Sequence, residues 1–253
     1  MANLKFFIDF DGTITQTDVV DMILERFAPE AWKAVEKEWT AGKIGSRECL
    51  SRQMALVRAT KNEFKEFLKD VEIDGGFVDF MARLKELSIP AFIVSDGFDV
   101  VIEEVLKRAF QNKTKFLLGL PIFCNRLEFV SGGLEISFPA AGCAHACANC
   151  KPGVIASLTE KEDRIIFVGD GLSDRFAAQV SYLTFAKNKL LFFCEENKKI
   201  RFLSYSSFTD IHNWLNDYLS AGDAEGESSI FFKGNPLKKI ESRRRQDPLT
   251  KSF

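Results

Sequence analysis

Three short apolar runs in this chain each end in aspartate. "LKFFID" opens the stretch "DFDGT" at residues 9–13, "IPAFIVSD" leads into "SDG" at 95–97, and "RIIFVGD" leads into "GDGLSD" at 169–174. Apolar runs of this length without polar alternation read as strands buried on both faces, as in a parallel sheet covered by helices. In such a sheet, ligands bind outside the carboxyl ends of the strands. One acidic strand end is ordinary turn chemistry, because Asp favours turns and helix caps. Three of them constrain the fold and the site together. "YLTFAK" at 182–187 reads as a fourth strand.

Helical spacing fills the intervals. Phe77, Phe80, Met81, Leu84 and Leu87 share a stripe, as do Val101, Val105 and Leu106. "RFAAQV" follows the third strand, and Ile211, Trp214, Leu215 and Tyr218 form a late amphipathic helix. The alternation predicts an α/β fold, a Rossmann-like three-layer core around a parallel sheet. Residues 16–74 interrupt it with helical patterns alone. Val20, Ile23, Leu24 and Phe27 form one stripe, Pro29 is placed to open a second helix carrying Trp32, Val35 and Trp39, and "TKNE" at 60–63 is a capping-box pattern ahead of Phe64, Phe67 and Leu68. The expected organisation is a core of residues 1–15 and 75–220, a small helical cap of residues 16–74 inserted after the first strand, and a polar, basic tail of residues 221–253 with no assigned structure. "RLEFVSGGLEISF" at 126–138 reads as a β-hairpin turning at Ser-Gly-Gly, outside the alternating core.

A 46% hydrophobic and 28% charged composition is that of a soluble globular protein, and a net charge of −2 offers no global attraction to nucleic acid or membrane. Arg243, Arg244 and Arg245 read as a solvated basic patch rather than a nucleic-acid contact. "MANLKFFIDFDGT" has no basic leader or cleavage site, and no apolar run approaches the ~18 residues of a membrane span. The expectation is a cytoplasmic protein with reduced thiols and no membrane partner. Nothing in the sequence marks an oligomeric state.

Asp9 and Asp11 are two residues apart, so an extended backbone puts both carboxylates on one side while Phe10 points to the core. Gly12 allows a sharp turn directly afterwards. A divalent cation would relieve the repulsion between the pair. Asp170 and Asp174 add further carboxylates, and Mg2+ commonly takes one or two of these, keeps several waters and binds substrate phosphate. Ser95 supplies a hydroxyl where successive backbone N–H groups, through Asp96 and Gly97, can face an anion. Lys151 precedes Pro152 and the helix start "GVIASL", which places an ammonium at a helix N-terminus. The residues by themselves point to a Mg2+–phosphate site. The plainer readings are turn-forming aspartates, an N-cap at Ser173 or Asp174, and an ordinary surface lysine.

The order DxDGT, SDG, Lys, GDxxxD resembles the haloacid dehalogenase superfamily of phosphohydrolases. The helical insertion between the first two motifs resembles members with a small helical cap, such as phosphoserine phosphatase. "DFDGTIT", "FAPEAWK", "CANCKPGVI" and "GDGLSD" together resemble the 2-hydroxy-3-keto-5-methylthiopentenyl-1-phosphate phosphatases of methionine salvage, over roughly residues 5–215. One departure counts: that branch carries S-G-G where this chain has Ser95-Asp96-Gly97, which is nearer to the phosphoethanolamine/phosphocholine phosphatases. The resemblance implies that Asp9 is a nucleophile forming an aspartyl-phosphate and that Asp11 is the proton donor and later the base. It implies Mg2+ held by Asp9, the Asp11 carbonyl and Asp170, with Asp174 orienting the site, and phosphoryl oxygens neutralised by Ser95 and Lys151. Asp18 falls where phosphoserine phosphatases meet the substrate's amino group, and it equally reads as an N-cap. Arg47 and Arg52 are basic candidates facing the site from the cap. The partner is a small phosphorylated metabolite. Phosphotransfer to an alcohol, and a non-catalytic binding protein using the tail, are the other readings.

Cys143, His145, Cys147 and Cys150 supply the ligand types of a tetrahedral structural Zn2+ site, with Cys124 as a further candidate. A disulfide would need an oxidising compartment or a redox role. Reduced thiols in a tight loop are the third reading. In each, the cysteines help to fix the position of Lys151. Cys49 and Cys194 read as small buried hydrophobes.

Overall fold

The apolar run at residues 4–8 becomes β1 (Asn3–Ile8), an inner strand of a seven-stranded sheet. This computed structural model describes residues 3–110, 119–131, 133–140 and 143–233, with backbone alone from 222 to 233. The remaining strands are β2 (Ala91–Phe98), β3 (Ile122–Val130), β4 (Gly133–Ser137), β5 (Asp163–Gly169), β6 (Leu183–Ala186) and β7 (Phe202–Ser204). The helices are α1 (Val19–Phe27), α2 (Trp32–Thr40), α3 (Ser46–Met54), α4 (Lys61–Phe67) and α5 (Phe77–Glu86). They continue with α6 (Asp99–Ala109), α7 (Lys151–Leu158), α8 (Arg175–Val180), α9 (Asn188–Glu196) and α10 (Phe208–Lys233). Strand order is β4-β3-β2-β1-β5-β6-β7, and only the β3–β4 pair is antiparallel.

Period-two alternation divides the apolar strands between two cores. Phe6, Ile8, Ile166 and Val168 join one cluster with Phe80, Ile102, Phe208, Trp214 and Leu215 of α5, α6 and α10. Phe7, Val94 and Phe167 join the other, with Val154, Ile155, Ala177, Leu190 and Cys194 of α7, α8 and α9. Helices therefore cover both faces, which is why the strands show no polar alternation. Phe6 meets Phe80 edge-on at 5.3 Å, and Phe7 stacks on Phe92 at 4.9 Å. Each such buried side chain contributes about 1.5–3 kcal/mol of transfer free energy. The expected three-layer α/β core is present.

The helices α1–α4 follow β1 directly. Ile23, Leu24, Trp32, Leu50, Met54 and Phe64 extend the first cluster, and a bridge between Thr15 and Ile73 joins the two ends of the insertion. Asp18 caps α1, accepting from the Asp21 N–H at 3.0 Å. Thr60 and Glu63 form the expected capping box on α4. The second helix opens later than expected. Pro29 accepts from Trp32 N–H at 3.3 Å in a preceding turn, and α2 starts at Trp32.

Other elements also differ from the sequence reading. The hairpin is not outside the core: β3 starts at Ile122 and pairs in parallel with β2, Ile93 opposite Ile122. This covers an edge of β2 that would otherwise carry unpaired backbone groups. β7 and α9 had no expectation, the strand being only three residues long. α10 continues to Lys233, into the stretch expected to be an unstructured tail. Once a helix is nucleated on packed Trp214 and Leu215, each further residue adds one hydrogen bond. Arg243, Arg244 and Arg245 lie outside the described residues. Among the described residues, no helix is long and apolar enough to cross a membrane.

Replacing Thr60 with Ala removes the side-chain half of the α4 capping box, the 3.2 Å bond from Glu63 N–H to Thr60 Oγ1, and leaves the 2.8 Å bond from the residue-60 backbone N–H to Glu63 in place. The expected outcome is a loss of ~1 kcal/mol in urea unfolding, read as a lower midpoint with unchanged slope.

Candidate active site

Because β1 lies between β2 and β5, the three acidic strand ends come out side by side. Phe10 is fully buried, while Asp9 and Asp11 line a cavity of about 340 Å³ together with Asp96, Gly97 and Asp170. Gly12 turns the chain with a φ of +68°, and a Cβ there would lie 2.5 Å from Asp170 Oδ2. Only glycine permits both the turn and the approach.

Lys151 is the first residue of α7 and is 1% exposed. Its ammonium donates to Asp9 Oδ1 and to Asp174 Oδ1, each at 2.6 Å. The other Asp174 oxygen accepts the backbone N–H groups of Asp170 and Gly171, both at 3.0 Å. Burial alone would pull Lys151 down, but the carboxylates of Asp174, Asp9 and Asp96 hold it well above the ordinary lysine range. Burial and the Asp174 carboxylate push Asp9 well above the usual carboxylate range, and Lys151 offsets only part of this.

Asp11 sits on the other side of the turn. The Ser95 hydroxyl donates to Asp11 Oδ2 at 3.1 Å, and Val19 N–H donates to Oδ1 at 3.2 Å. Gly97 N–H donates in turn to Ser95 Oγ at 2.8 Å. This local geometry coincides with a register shift of β2 between Val94 and Phe98, a bulge that re-aims side chains at the sheet's end. Burial first, then the Asp18 carboxylate, raise Asp11 to about 8. Asp170 is raised to about 6 by burial and Asp174, against a hydrogen bond from Asn188 at 3.1 Å.

Carboxylate oxygens of Asp9, Asp170 and Asp174 all lie within 4.8 Å of one another. One ammonium cannot neutralise this group, and the raised carboxyls register the excess negative charge. Hard oxygen donors with uncompensated charge fit a Mg2+ ion. Asp174, with both oxygens already engaged, is the least available of the three.

Other expected residues lie elsewhere. Arg47 and Arg52 do not line this cavity. Arg47 donates to the Cys147 carbonyl at 3.2 Å, and Arg52 pairs on the surface with Glu38 at 2.7 Å. Both charges are spent on neighbours instead of the site. The inserted helices bring Val20, Asp21, Glu36, Trp39, Cys49, Leu50 and Gln53 to the cavity wall, and Asp18 lies there too. Two asparagines were not anticipated. Asn149 donates to the carbonyls of Ser95 at 2.8 Å and Phe123 at 2.7 Å, and Asn125 donates to the Asp96 carbonyl at 2.6 Å. They brace the β2 bulge, and no spacing signal marks them. Asp96 Oδ1 is buried without a hydrogen-bond partner. All six cysteines are free thiols, with Cys49 and Cys194 buried as expected. Cys124 lies on β3 against the main core and is not part of the Cys143–His145–Cys147 group.

The family described as haloacid dehalogenase-like hydrolase matches residues 6–179. A 2-hydroxy-3-keto-5-methylthiopentenyl-1-phosphate phosphatase of Bacillus pumilus is 31% identical over 208 residues, 80% of this chain and 87% of the relative. The bifunctional enzyme MtnB/MtnX of Bacillus licheniformis is 32% identical over 214 residues, which is 83% of this chain but 48% of that longer protein. Among solved structures, a substrate-bound phosphoserine phosphatase complex has the same fold, with a TM-score of 0.63 at 21% identity over 85% of this chain and 98% of that one.

Two substitutions test this geometry. A Cβ at Gly97 would lie 2.4 Å from Asp11 Oδ2, so Gly97→Ala is expected to cut phosphatase turnover at least tenfold with an unchanged circular dichroism spectrum. In chelator, Lys151→Met leaves Asp9 and Asp174 without their shared cation. It should cost ~3–5 kcal/mol of unfolding free energy at mildly alkaline pH. Asp9 is raised in the folded state, so its penalty is present above that folded value and is relieved as pH falls through it. The gap from wild type should therefore narrow at mildly acidic pH.

Proposed function

The chain belongs to the haloacid dehalogenase-like hydrolases and is a phosphatase, and we propose that it is a Mg2+-dependent phosphomonoesterase acting through an aspartyl-phosphate on a 2-hydroxy-3-keto-5-methylthiopentenyl-1-phosphate-like metabolite. The observation that carries this reading is the geometry of two aspartates on one turn: Asp9 accepts from the Lys151 ammonium, and Asp11 accepts from the Ser95 hydroxyl and the Val19 N–H. Neighbouring carboxyls with different partners, one on an ammonium and one on a hydroxyl and a backbone N–H, are suited to separate nucleophile and acid roles.

In this reading an Asp9 oxygen attacks phosphorus while the bond to the leaving oxygen breaks. Asp11 gives its proton to that oxygen and so releases a neutral alcohol. Asp11, now a carboxylate, takes a proton from water as the water attacks the phosphoryl group. The acyl-phosphate linkage breaks, and Asp9 and inorganic phosphate are restored. Lys151, Ser95 and the N–H of Asp96 hold the phosphoryl oxygens, with the Gly97 N–H setting the Ser95 hydroxyl. The Asp9 carboxylate, the Asp11 carbonyl and Asp170 would hold Mg2+. Bound there, Mg2+ would neutralise charge on the nucleophile and on a phosphoryl oxygen. Asp174 keeps Lys151 aimed.

Residues 16–74 would act as a cap that excludes bulk water during transfer. Trp39, Leu50, Val20 and Cys49 give the cavity an apolar wall suited to a methylthio chain. A second reading has its own support. The unpartnered Asp96 oxygen and the carboxylates of Asp18, Asp21 and Glu36 would suit a cationic group, as in phosphoethanolamine or phosphocholine.

Phosphate release should be measured with Mg2+ and with EDTA. The substrates are the methylthiopentenyl phosphate, phosphoethanolamine, phosphocholine and phosphoserine. Turnover should need Mg2+, fall by ~10³-fold or more in Asp9→Asn, and be fastest with the methylthiopentenyl compound. Preference for an amine substrate would establish the second reading. No Mg2+-dependent release, together with no trapped aspartyl-phosphate, would sink both.

A further inference from the structure

The loop preceding Lys151 holds a second concentration of ligand atoms, and the phosphatase chemistry does not use them. Cys143 Sγ, a His145 ring nitrogen and Cys147 Sγ all lie within 4.8 Å of one another. Around a tetrahedral zinc ion with bonds of ~2.0–2.3 Å, such atoms would sit ~3.5–3.8 Å apart. Closing the group onto an ion therefore takes side-chain movements on the order of 1 Å.

The group is organised around Cys143. Burial raises its thiol, but backbone N–H and thiol hydrogen bonds from Cys147, a backbone N–H from His145 and the Cys150 thiol bring it below its ordinary value. Cys147 is pushed up to about 12 by burial and then by its contacts with Cys143. Cys150 is raised as well, first by burial and then by donating to Cys143, against a backbone N–H from Gly153. The His145 ring is set by stacking on Phe176 at 4.1 Å, and Phe176 in turn lies under the Arg175 guanidinium at 4.5 Å.

The loop has little core of its own. Ala146 adopts a φ of +52°, uncommon for a residue with a β-carbon. It is held by its N–H donating to Cys143 carbonyl at 3.3 Å and by its carbonyl accepting from Arg47 N–H at 3.2 Å. Ala148 N–H donates to Ser46 Oγ at 2.8 Å, so the loop sits on the first turn of α3. It also carries Asn149 and ends at Lys151.

We propose that Cys143, His145, Cys147 and Cys150 bind one structural Zn2+ ion that fixes the Lys151 loop and ties it to the start of α3. The first three form the compact group. Cys150 lies outside that compact group but its thiol hydrogen-bonds to the Cys143 sulfur, and it would supply the fourth ligand. His145 is exposed, and the three cysteines are half-buried, so an ion can enter. The proposal is independent of which phosphate ester the enzyme cleaves.

The test uses the full chain, reduced, stripped with chelator and titrated with Co2+ in excess Mg2+. One equivalent should give thiolate-to-cobalt charge-transfer absorption and intense visible bands of a tetrahedral ion, both abolished by one equivalent of Zn2+. Cys147→Ser should lose at least half the charge-transfer intensity, and Cys49→Ser, outside the cluster, should keep all of it. Zinc-stripped enzyme should regain full Mg2+-dependent turnover only when Zn2+ is added back. Weak octahedral bands alone in the wild type would overturn the proposal, as would charge transfer undiminished in Cys147→Ser. An unreduced chain two hydrogens lighter than the reduced one, with no bound metal, would overturn it in favour of a disulfide.

Discussion

A single buried ammonium organises the floor of this site. Lys151 reaches Asp9 after β1 and Asp174 after β5, so segments separated by 142 and 23 residues meet at one nitrogen. Removing such charges from water costs several kcal/mol per ion, and attraction offsets this only where the remaining lone pairs are also satisfied. Asp174 meets that condition, since its second oxygen takes two backbone N–H groups. Asp9 meets it less fully, and in the proposed reaction it is Asp9 that must stay open toward substrate. The triad thus locks the side of the site that must stay still.

The same charges would favour a bound cation. Three carboxyls crowd together with one lysine bonded to two of them, and burial and the Asp18 carboxylate raise Asp11 to about 8. A proton on Asp11 would be useful chemistry, because a leaving alkoxide needs one. Electrostatic strain and catalytic assignment have one origin, the crowding of acids at neighbouring strand ends.

The positions of the strand-end acids were legible because they depend on local rules. Asp9, Asp96 and Asp170 end apolar runs, Asp11 and Asp174 follow within four residues, and parallel strands must leave the sheet at the same edge. The Asp18 and Thr60 caps were legible for the same reason, since a cap acts within four residues. β3 was misread because its first residues look like loop until the edge of β2 is seen beside them. Arg47 and Arg52 were misjudged because helical periodicity says which residues share a face but not what that face meets. Arg52 meets Glu38, 14 residues earlier, and Arg47 meets a carbonyl 100 residues later.

By itself, then, the sequence determined the strand–helix alternation, the acidic strand ends and the lysine at a helix start, all properties of short stretches obeying backbone sterics and solvation. The tertiary structure alone decided which faces of α1–α3 wall the cavity, how Asn149 and Asn125 brace the β2 bulge, and where the cysteine loop rests. Those outcomes depend on the angles and distances at which remote elements pack. Such angles are set by the summed contacts of two cores, which no local spacing of residues encodes.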